Sequence, residues 1–576
     1  MPFQKQALFF VLLLFAGMSF AENYVLINSQ DAHDVLSGIF YANVKELPVK
    51  FVPNSGTDPY VFADKIGTGH DILLIQASDR PISGFMETAL KSKGNQVELY
   101  PSADGMATNL DLARRSGASS FIVVDSAYSD SALSVLPYAA LSKSYVLLSN
   151  KGNADAIKSI VSGKKVLIFG YVDKEVADAL SPMNLERIGD GEDKFQDNVL
   201  IQKKMIDEFH TNSFIAADGT ILEDSMINGA MGILLIGKII PQVTYDFVKS
   251  EVRAGNLKSV ILIGNNLVMP AYDMREKIKQ DFAREGQNLS FGILVKFAQA
   301  LPSGNGILNL DTFTLPAYRP SLEISDMVYN RNSGRIMTTI ENKGDGLAYY
   351  TLEIRIKVDG NEVRVIPASA SKPVQRGESS GEETDFDMSS ITEGNVTALM
   401  FLRYGASKAS LDSFTSKEGP LASIEYTDNS AISIQAAKYD METKRLLVTI
   451  KNDGNETAYA FTKLGLTLGG QNTSVSGSGT RKLEASSMYV EEIPLDLAAA
   501  DLEANRNVNV TVDYGARPGF LGKKASASVP IMVESGFPVP LVIGVILIVL
   551  VIAAAAFFFL KKPPNAQTDK KTKNKA

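Results

Sequence analysis

The sequence predicts a multidomain chain of three α/β repeats with mostly parallel sheets, then two all-β sandwiches, then one C-terminal transmembrane helix. Three observations predict it. Short β-rich apolar runs alternate with helical segments from residue 24 to about 300, the grammar of strand–helix–strand units. From Leu322 the chain alternates apolar and polar residues between turn signals, and this pattern repeats at an offset of 110 residues. Leu541 to Leu560 is a run of twenty apolar or small residues, which matches the thickness of a bilayer core.

A chain of 576 residues with 45% hydrophobic content holds several packed cores. The net charge of −8 gives no basic field for phosphates and excludes a nucleic-acid binder. The chain has no Cys, hence no disulfides, thiolate metal sites or Cys nucleophile. Three histidines, His33, His70 and His210, leave little for zinc or for His-based catalysis. No cofactor or metal is expected.

Residues 1–21 read as a signal peptide: Lys5, an apolar core from Ala7 to Phe15, and the small-x-small pattern Ser19-Phe20-Ala21. Three repeats follow at 22–118, 119–210 and 211–300, each Rossmann-like. The central one sets the pattern with apolar runs Phe121–Asp125, Tyr145–Ser149 and Lys165–Gly170, and a short helix Glu175–Leu180. Upstream stand Tyr24–Asn28, Asp71–Ile75 and Val97–Tyr100; downstream stand Phe214–Asp218 and Lys258–Gly264. Asp34, Asp130 and Asp224, spaced by 96 and 94 residues, are read as opening the first helix of each copy. A carboxylate there caps free N–H groups and suits the positive end of the helix. Asp273 to Arg284 reads as a charged helix; for Ser290 to Ala300 periodicity leaves strand and helix both open.

The central copy contains Asp130-Ser-Ala-Leu-Ser134, Val166-Leu-Ile-Phe-Gly170 and Arg187-Ile-Gly-Asp-Gly-Glu-Asp-Lys-Phe-Gln-Asp197. This order of elements resembles the cell wall binding repeat 2 family. Lys194, Phe195 and Asp197 stand where the family has Arg, Tyr and Thr. The first copy keeps Asp104 and Thr108 without the Arg, and the third lacks the closing motif. The resemblance covers about half the chain, and it implies a three-lobed module that attaches proteins to surface polymers.

Residues 301–321, rich in Gly and Pro, read as a connector. The sandwiches are placed at 322–415 and 432–520, with linkers at 416–431 and 521–538. Their shared register pairs Thr339–Gly344 with Thr449–Gly454 and Tyr404-Gly-Ala406 with Tyr514-Gly-Ala516. The pattern resembles adhesion-type, immunoglobulin-like domains, and its Asn-x-Gly elements read as tight turns. The acidic run Glu378 to Asp387 reads as a hairpin loop. Five Asn-x-Ser/Thr sequons, at Asn288, Asn395, Asn455, Asn472 and Asn509, are glycosylation candidates. The span 539–560 precedes a Lys-rich tail at 561–576, which the positive-inside rule places in the cytoplasm.

No phosphate loop, His-Glu-x-x-His or Gly-x-Ser-x-Gly motif occurs, so no enzyme activity is expected. The acidic cluster Asp190, Glu192, Asp193 and Asp197 departs from a Ca²⁺ loop and reads as a turn with a helix cap. Ligands of parallel α/β sheets sit beyond the carboxyl ends of strands. Asn28, Asp125 and Asp218 end the opening strands there, with Asp34, Asp130 and Asp224 just after them. These six are the ligand-binding candidates. The expected protein is a single-pass, non-enzymatic surface protein, its ectodomain outside. Its partners would be an envelope polymer, a glycan, a surface layer or a neighbouring cell, with the sandwiches as a stalk. Anchor type and sequons suit an archaeal glycoprotein with a surface layer. The other reading is a receptor that closes its α/β block on a small ligand.

Overall fold

The computed structural model describes residues 22–534, apart from 54–55, 182, 184, 238, 265–266, 287–290, 298–299, 304–305, 310, 389–393, 409–410, 469–470, 478 and 496. The expected signal peptide, the apolar span Leu541–Leu560 and Asn288 lie outside the described residues. Among the described residues no helix is long and apolar enough to cross a membrane.

The first repeat comprises β1 (Tyr24–Asn28), α1 (Ala32–Lys45), β2 (Val49–Phe51), α2 (Pro59–Ile66), β3 (Asp71–Ala77), α3 (Met86–Ser92), β4 (Gln96–Ser102) and α4 (Gly105–Ser116). The second comprises β5 (Ser120–Asp125), α5 (Ser129–Ser142), β6 (Tyr145–Ser149), α6 (Ala154–Val161), β7 (Lys165–Phe169), α7 (Lys174–Leu180), β8 (Leu185–Ile188) and α8 (Lys194–Phe209). The third comprises β9 (Ser213–Ala217), β10 (Ile221–Glu223), β11 (Gly232–Leu235), α9 (Gln242–Arg253), β12 (Ser259–Ile263), α10 (Val268–Arg284) and β13 (Gly292–Lys296).

Each repeat forms one four-stranded parallel sheet with the same order. The sheets run β2-β1-β3-β4, β6-β5-β7-β8 and β11-β9-β12-β13. The opening strands β1 and β5 and the edge strand β6 are apolar and buried along their length, as strands covered on both faces require. One core runs through the first two repeats and into the third by way of Ile215, Leu222, Ile227 and Ile233. Val199 and Ile206 of α8 pack instead into the core of the third repeat.

Two helices join consecutive repeats by the same device. Asn109 of α4 is fully buried. Its Nδ2 donates to Val146 O (3.1 Å) and Ser37 Oγ (3.0 Å), and its Oδ1 accepts from Leu148 N (2.9 Å). Asn198 of α8 does the same one repeat later. It bonds Ile233 O (2.8 Å), Ser134 Oγ (3.0 Å) and Leu235 N (2.9 Å). Each carboxamide supplies a donor and an acceptor to the open edge of the next sheet, where unpaired backbone groups would otherwise be buried.

The third repeat departs from this plan, and several sequence expectations change with it. No α1 equivalent follows β9; Asp224 opens a three-residue 3₁₀ turn, Asp224–Met226. The residues read as a connector carry structure: Thr312–Thr314 pairs antiparallel with β10. Phe313 is 4% exposed and meets the Phe51 ring edge-on at 6.1 Å. Asn43 Nδ2 donates to Ile227 O (2.8 Å). The third repeat thus closes back onto the first through an apolar anchor. The Ser290–Ala300 stretch contains strand β13, and α10 begins five residues before the expected Asp273, at Val268.

In the first sandwich, Ser379–Asp385, Arg335–Asn342, Leu322–Asn330 and Ala422–Ile424 form one sheet. Asn361–Ile366, Ala348–Val358, Val396–Gly405 and Ser413–Pro420 form the other, and their inward residues share a core. The second sandwich repeats the pattern, with Lys523–Glu534 pairing into both of its sheets. Both sandwiches therefore run past their expected ends at 415 and 520 into residues read as linkers. The acidic run is no loop: Ser379–Asp385 is a strand whose Glu382 is buried, bonded to Lys372 Nζ (2.7 Å) and Tyr350 Oη (2.8 Å). The Asn-x-Gly elements are turns in which Asn342 and Asn452 accept from the N–H of Gly344 (2.9 Å) and Gly454 (3.0 Å).

Candidate functional site

The six candidate residues do not form one site, since each is engaged within its own repeat or at a junction. Asn28 is fully buried and fixes the loop after β3: its Nδ2 donates to Ser83 O (2.7 Å) and its Oδ1 accepts from Ser83 N (2.9 Å). Asp34 is 1% exposed, and its two oxygens accept from Ser29 Oγ and Ser102 Oγ, both at 2.6 Å. Burial raises its pKa above the ordinary value. Asp218 accepts from Thr220 N (3.0 Å) and Thr220 Oγ1 (2.7 Å). Asp224 is mostly exposed and lies 3.8 Å from Lys50 Nζ; its pKa is raised, chiefly by desolvation.

The Asp residues at the helix starts are also not equivalent to one another. Helix α5 begins and ends 97 residues after α1, so Ser131 stands where Asp34 does, and Asp130 stands where His33 does. Asp31 caps α1, accepting from His33 N (2.8 Å), while α5 has no side-chain cap. Near-equal spacing of a common residue misled the register because identity alone does not sense the burial phase of a helix. His33 and Asp130 do share a role at the junctions. His33 Nε2 lies 3.2 Å from Ser126 O in the loop after β5. Asp130 abuts Gly219 in the loop after β9, where a Cβ would come within 2.9 Å of the Asp130 Cβ. The Asp130 carboxylate also accepts from Lys194 Nζ (2.9 Å).

The strand ends of the central repeat gather several carboxylates. Asp125, at the end of β5, is 3% exposed; its Oδ1 accepts from Ala127 N (2.8 Å). Burial, reinforced by the Asp173 carboxylate, pushes its pKa up to about 7. Asp173, after β7, accepts from Lys151 N (2.8 Å). Asp197 turns its carboxylate onto Gly191 N (3.0 Å) and Asp190 N (3.3 Å); burial lifts its pKa to about 7 as well. The cluster around it behaves as the expected turn and cap, with Asp193 accepting from Phe195 N (2.9 Å).

Sequence reasoning missed that the sandwiches cover this end of the repeat. Tyr128 Oη donates to Leu347 O (3.0 Å), and Gly346 approaches its ring so closely that a Cβ would lie 2.5 Å from the hydroxyl. The Tyr128 ring meets Tyr318 at 4.6 Å and Tyr171 at 6.0 Å, both edge-on. Tyr171 Oη donates to Gln375 Oε1 (2.8 Å), and Lys408 N donates to Glu192 O (3.0 Å). The second sandwich joins through Lys174 Nζ and Ser476 O (2.9 Å). Glu378 of the first sandwich accepts from Thr480 Oγ1 of the second (2.8 Å). Between these contacts a cleft of about 790 Å³ remains, with the central repeat on one side and both sandwiches on the other. The missed junction residues Asn109 and Asn198 did leave a signal: each stands five positions after a helix-capping Asp, Asp104 or Asp193.

No protein-family model matches the chain, and no curated protein matches it. Among solved structures, Cwp6 from Clostridium difficile is similar at 16% identity and a TM-score of 0.32, over 42% of this chain and 40% of its own. Cwp8 from Clostridium difficile is similar at 18% identity and a TM-score of 0.38, over 45% of this chain and 47% of its own. The chain spans less than half the length of either.

Proposed function

We propose that this is a membrane-anchored, non-enzymatic surface protein whose three-repeat module attaches to repeating envelope polymer or to surface-layer components. The observation that supports it is the threefold recurrence of one parallel sheet order, linked in a closed ring by Asn109, Asn198 and Phe313. A module of several lobes contacts a repeating ligand at more than one place, and such a ligand gains avidity without any single tight site. The leader-like N-terminus and the apolar span Leu541–Leu560 supply export and anchoring in this reading. Exposed sequon residues Asn395, Asn455 and Asn509 are accessible to glycan attachment. The sandwiches do not hang free as a stalk, since they pack against the central repeat.

The test is cosedimentation of the full-length protein, reconstituted in nanodiscs, with envelope fractions from source cells. The expected result is saturable retention that solubilised envelope polymer competes away. A protein that stays in the supernatant with every fraction rules the reading out.

A further inference from the structure

The cleft lies where ligands of parallel sheets are held, beyond the carboxyl ends of β6, β7 and β8. Lys151 follows β6, Tyr171 and Glu175 follow β7, and Arg187 lies on β8 ahead of Asp190. Opposite them stand Gln375, Arg376 and Glu378 of the first sandwich and Ser476 and Thr480 of the second. Its volume falls within the range of about 300–1,000 Å³ typical of small-ligand sites.

The chemistry of the walls narrows the occupant. Among the described residues Arg187 donates to main-chain carbonyls, Gly189 O at 3.4 Å and Gly170 O at 3.3 Å. Arg376 pairs with the largely exposed Asp345 at 3.4 Å and adds its charge to the field at Asp125. Lys151, Lys174, Arg187 and Arg376 share the wall with the carboxylates of Asp173, Glu175, Asp190, Glu192 and Glu378. A ligand of single charge sign would meet repulsion from half of that wall. A hydroxyl group both donates and accepts, so it satisfies either kind of neighbour. The half-buried Tyr171, fixed through its hydroxyl by Gln375, adds aromatic surface to the cleft wall, suited to the apolar face of a sugar ring.

We infer that the cleft between the central repeat and the two sandwiches binds an uncharged, hydroxyl-rich oligosaccharide, with both sandwiches forming part of its wall. This deepens the attachment reading, on which it rests for the source of the saccharide. It makes the sandwiches part of recognition.

The test titrates the full-length protein by calorimetry with two neutral tetrasaccharides, one of N-acetylglucosamine and one of glucose, and with glucose 6-phosphate as the anionic probe. A neutral tetrasaccharide is expected to bind. Arg187→Ala removes a charged donor and is expected to weaken that binding about tenfold, since a hydrogen bond to a charged group contributes about 1.5–3 kcal/mol. Its melting temperature should be unchanged, because Arg187 is exposed and bonds only two carbonyls at long distance. Tyr171→Ala provides a second readout of the stacking face. Binding of the phosphate alone overturns the inference, and so does tetrasaccharide binding that neither substitution alters. Wild-type protein that cosediments with envelope yet binds neither tetrasaccharide overturns the cleft inference and leaves the attachment reading standing. Tetrasaccharide binding without cosedimentation does the reverse.

Discussion

The first two repeats and the third solve one problem in two ways. Each repeat leaves its second strand on a sheet edge, and a neighbour must cover that edge. The first and second repeats send a helix across and satisfy the edge with a buried Asn, Asn109 or Asn198. The third repeat closes on the first mainly with an apolar contact, Phe313 against Phe51, from a strand pair outside its main sheet, beside a single bond from Asn43 Nδ2 to Ile227 O. A polar plug fixes register, because the carboxamide fits only one pair of backbone groups. An apolar plug fixes burial without register, because the hydrophobic effect has no direction.

The comparison can be broken most forcefully at Phe313. Phe313→Ala is expected to destabilise the α/β module by about 3–5 kcal/mol, the usual loss for a buried Phe. Urea unfolding followed by far-UV circular dichroism would show it, and a midpoint within error of wild type would mean that the ring is not closed there.

The Asn junctions come next. Asn109→Ala and Asn198→Ala should each lose about 2–3 kcal/mol, because a buried N–H and C=O are left without partners. The two losses should agree. A much smaller loss at Asn198 in the same unfolding series would show that the two junctions are not equivalent.

A single strand end also separates the repeats, through its response to pH. The first repeat has Asn28 where the second has Asp125. The pKa of Asp125 is raised from an ordinary 3.8 to about 7 by burial and by Asp173. Between those values the folded chain holds a proton that the unfolded chain has lost, so stability falls as pH rises through that window. Asp125→Asn should flatten this slope. Melting temperatures measured from pH 4 to 8 would test it, and parallel curves for wild type and variant would refute it.

Much of the architecture was legible in the residues. The buried strands announced themselves as unbroken apolar runs such as Phe121–Val124. The two sandwiches announced themselves through a shared register that includes the turn-forming Asn342 and Asn452. The candidate residues were legible as strand ends, while their engagement was not: Asn28, Asp34 and Asp218 are bonded within their own repeats. Helix register between Asp34 and Asp130 was off by one residue, an error that only burial exposes.

By itself, then, the sequence determined most of the local elements and their repetition, because strand and helix periodicity and turn chemistry act over a few neighbouring residues. Only the tertiary structure decided which edges meet. It placed Asn109 on β6, Phe313 on Phe51, and the sandwich loop at Gly346 against Tyr128. Those pairings join residues far apart in the chain, and their energy depends on complementary surfaces that neither partner's local sequence encodes alone.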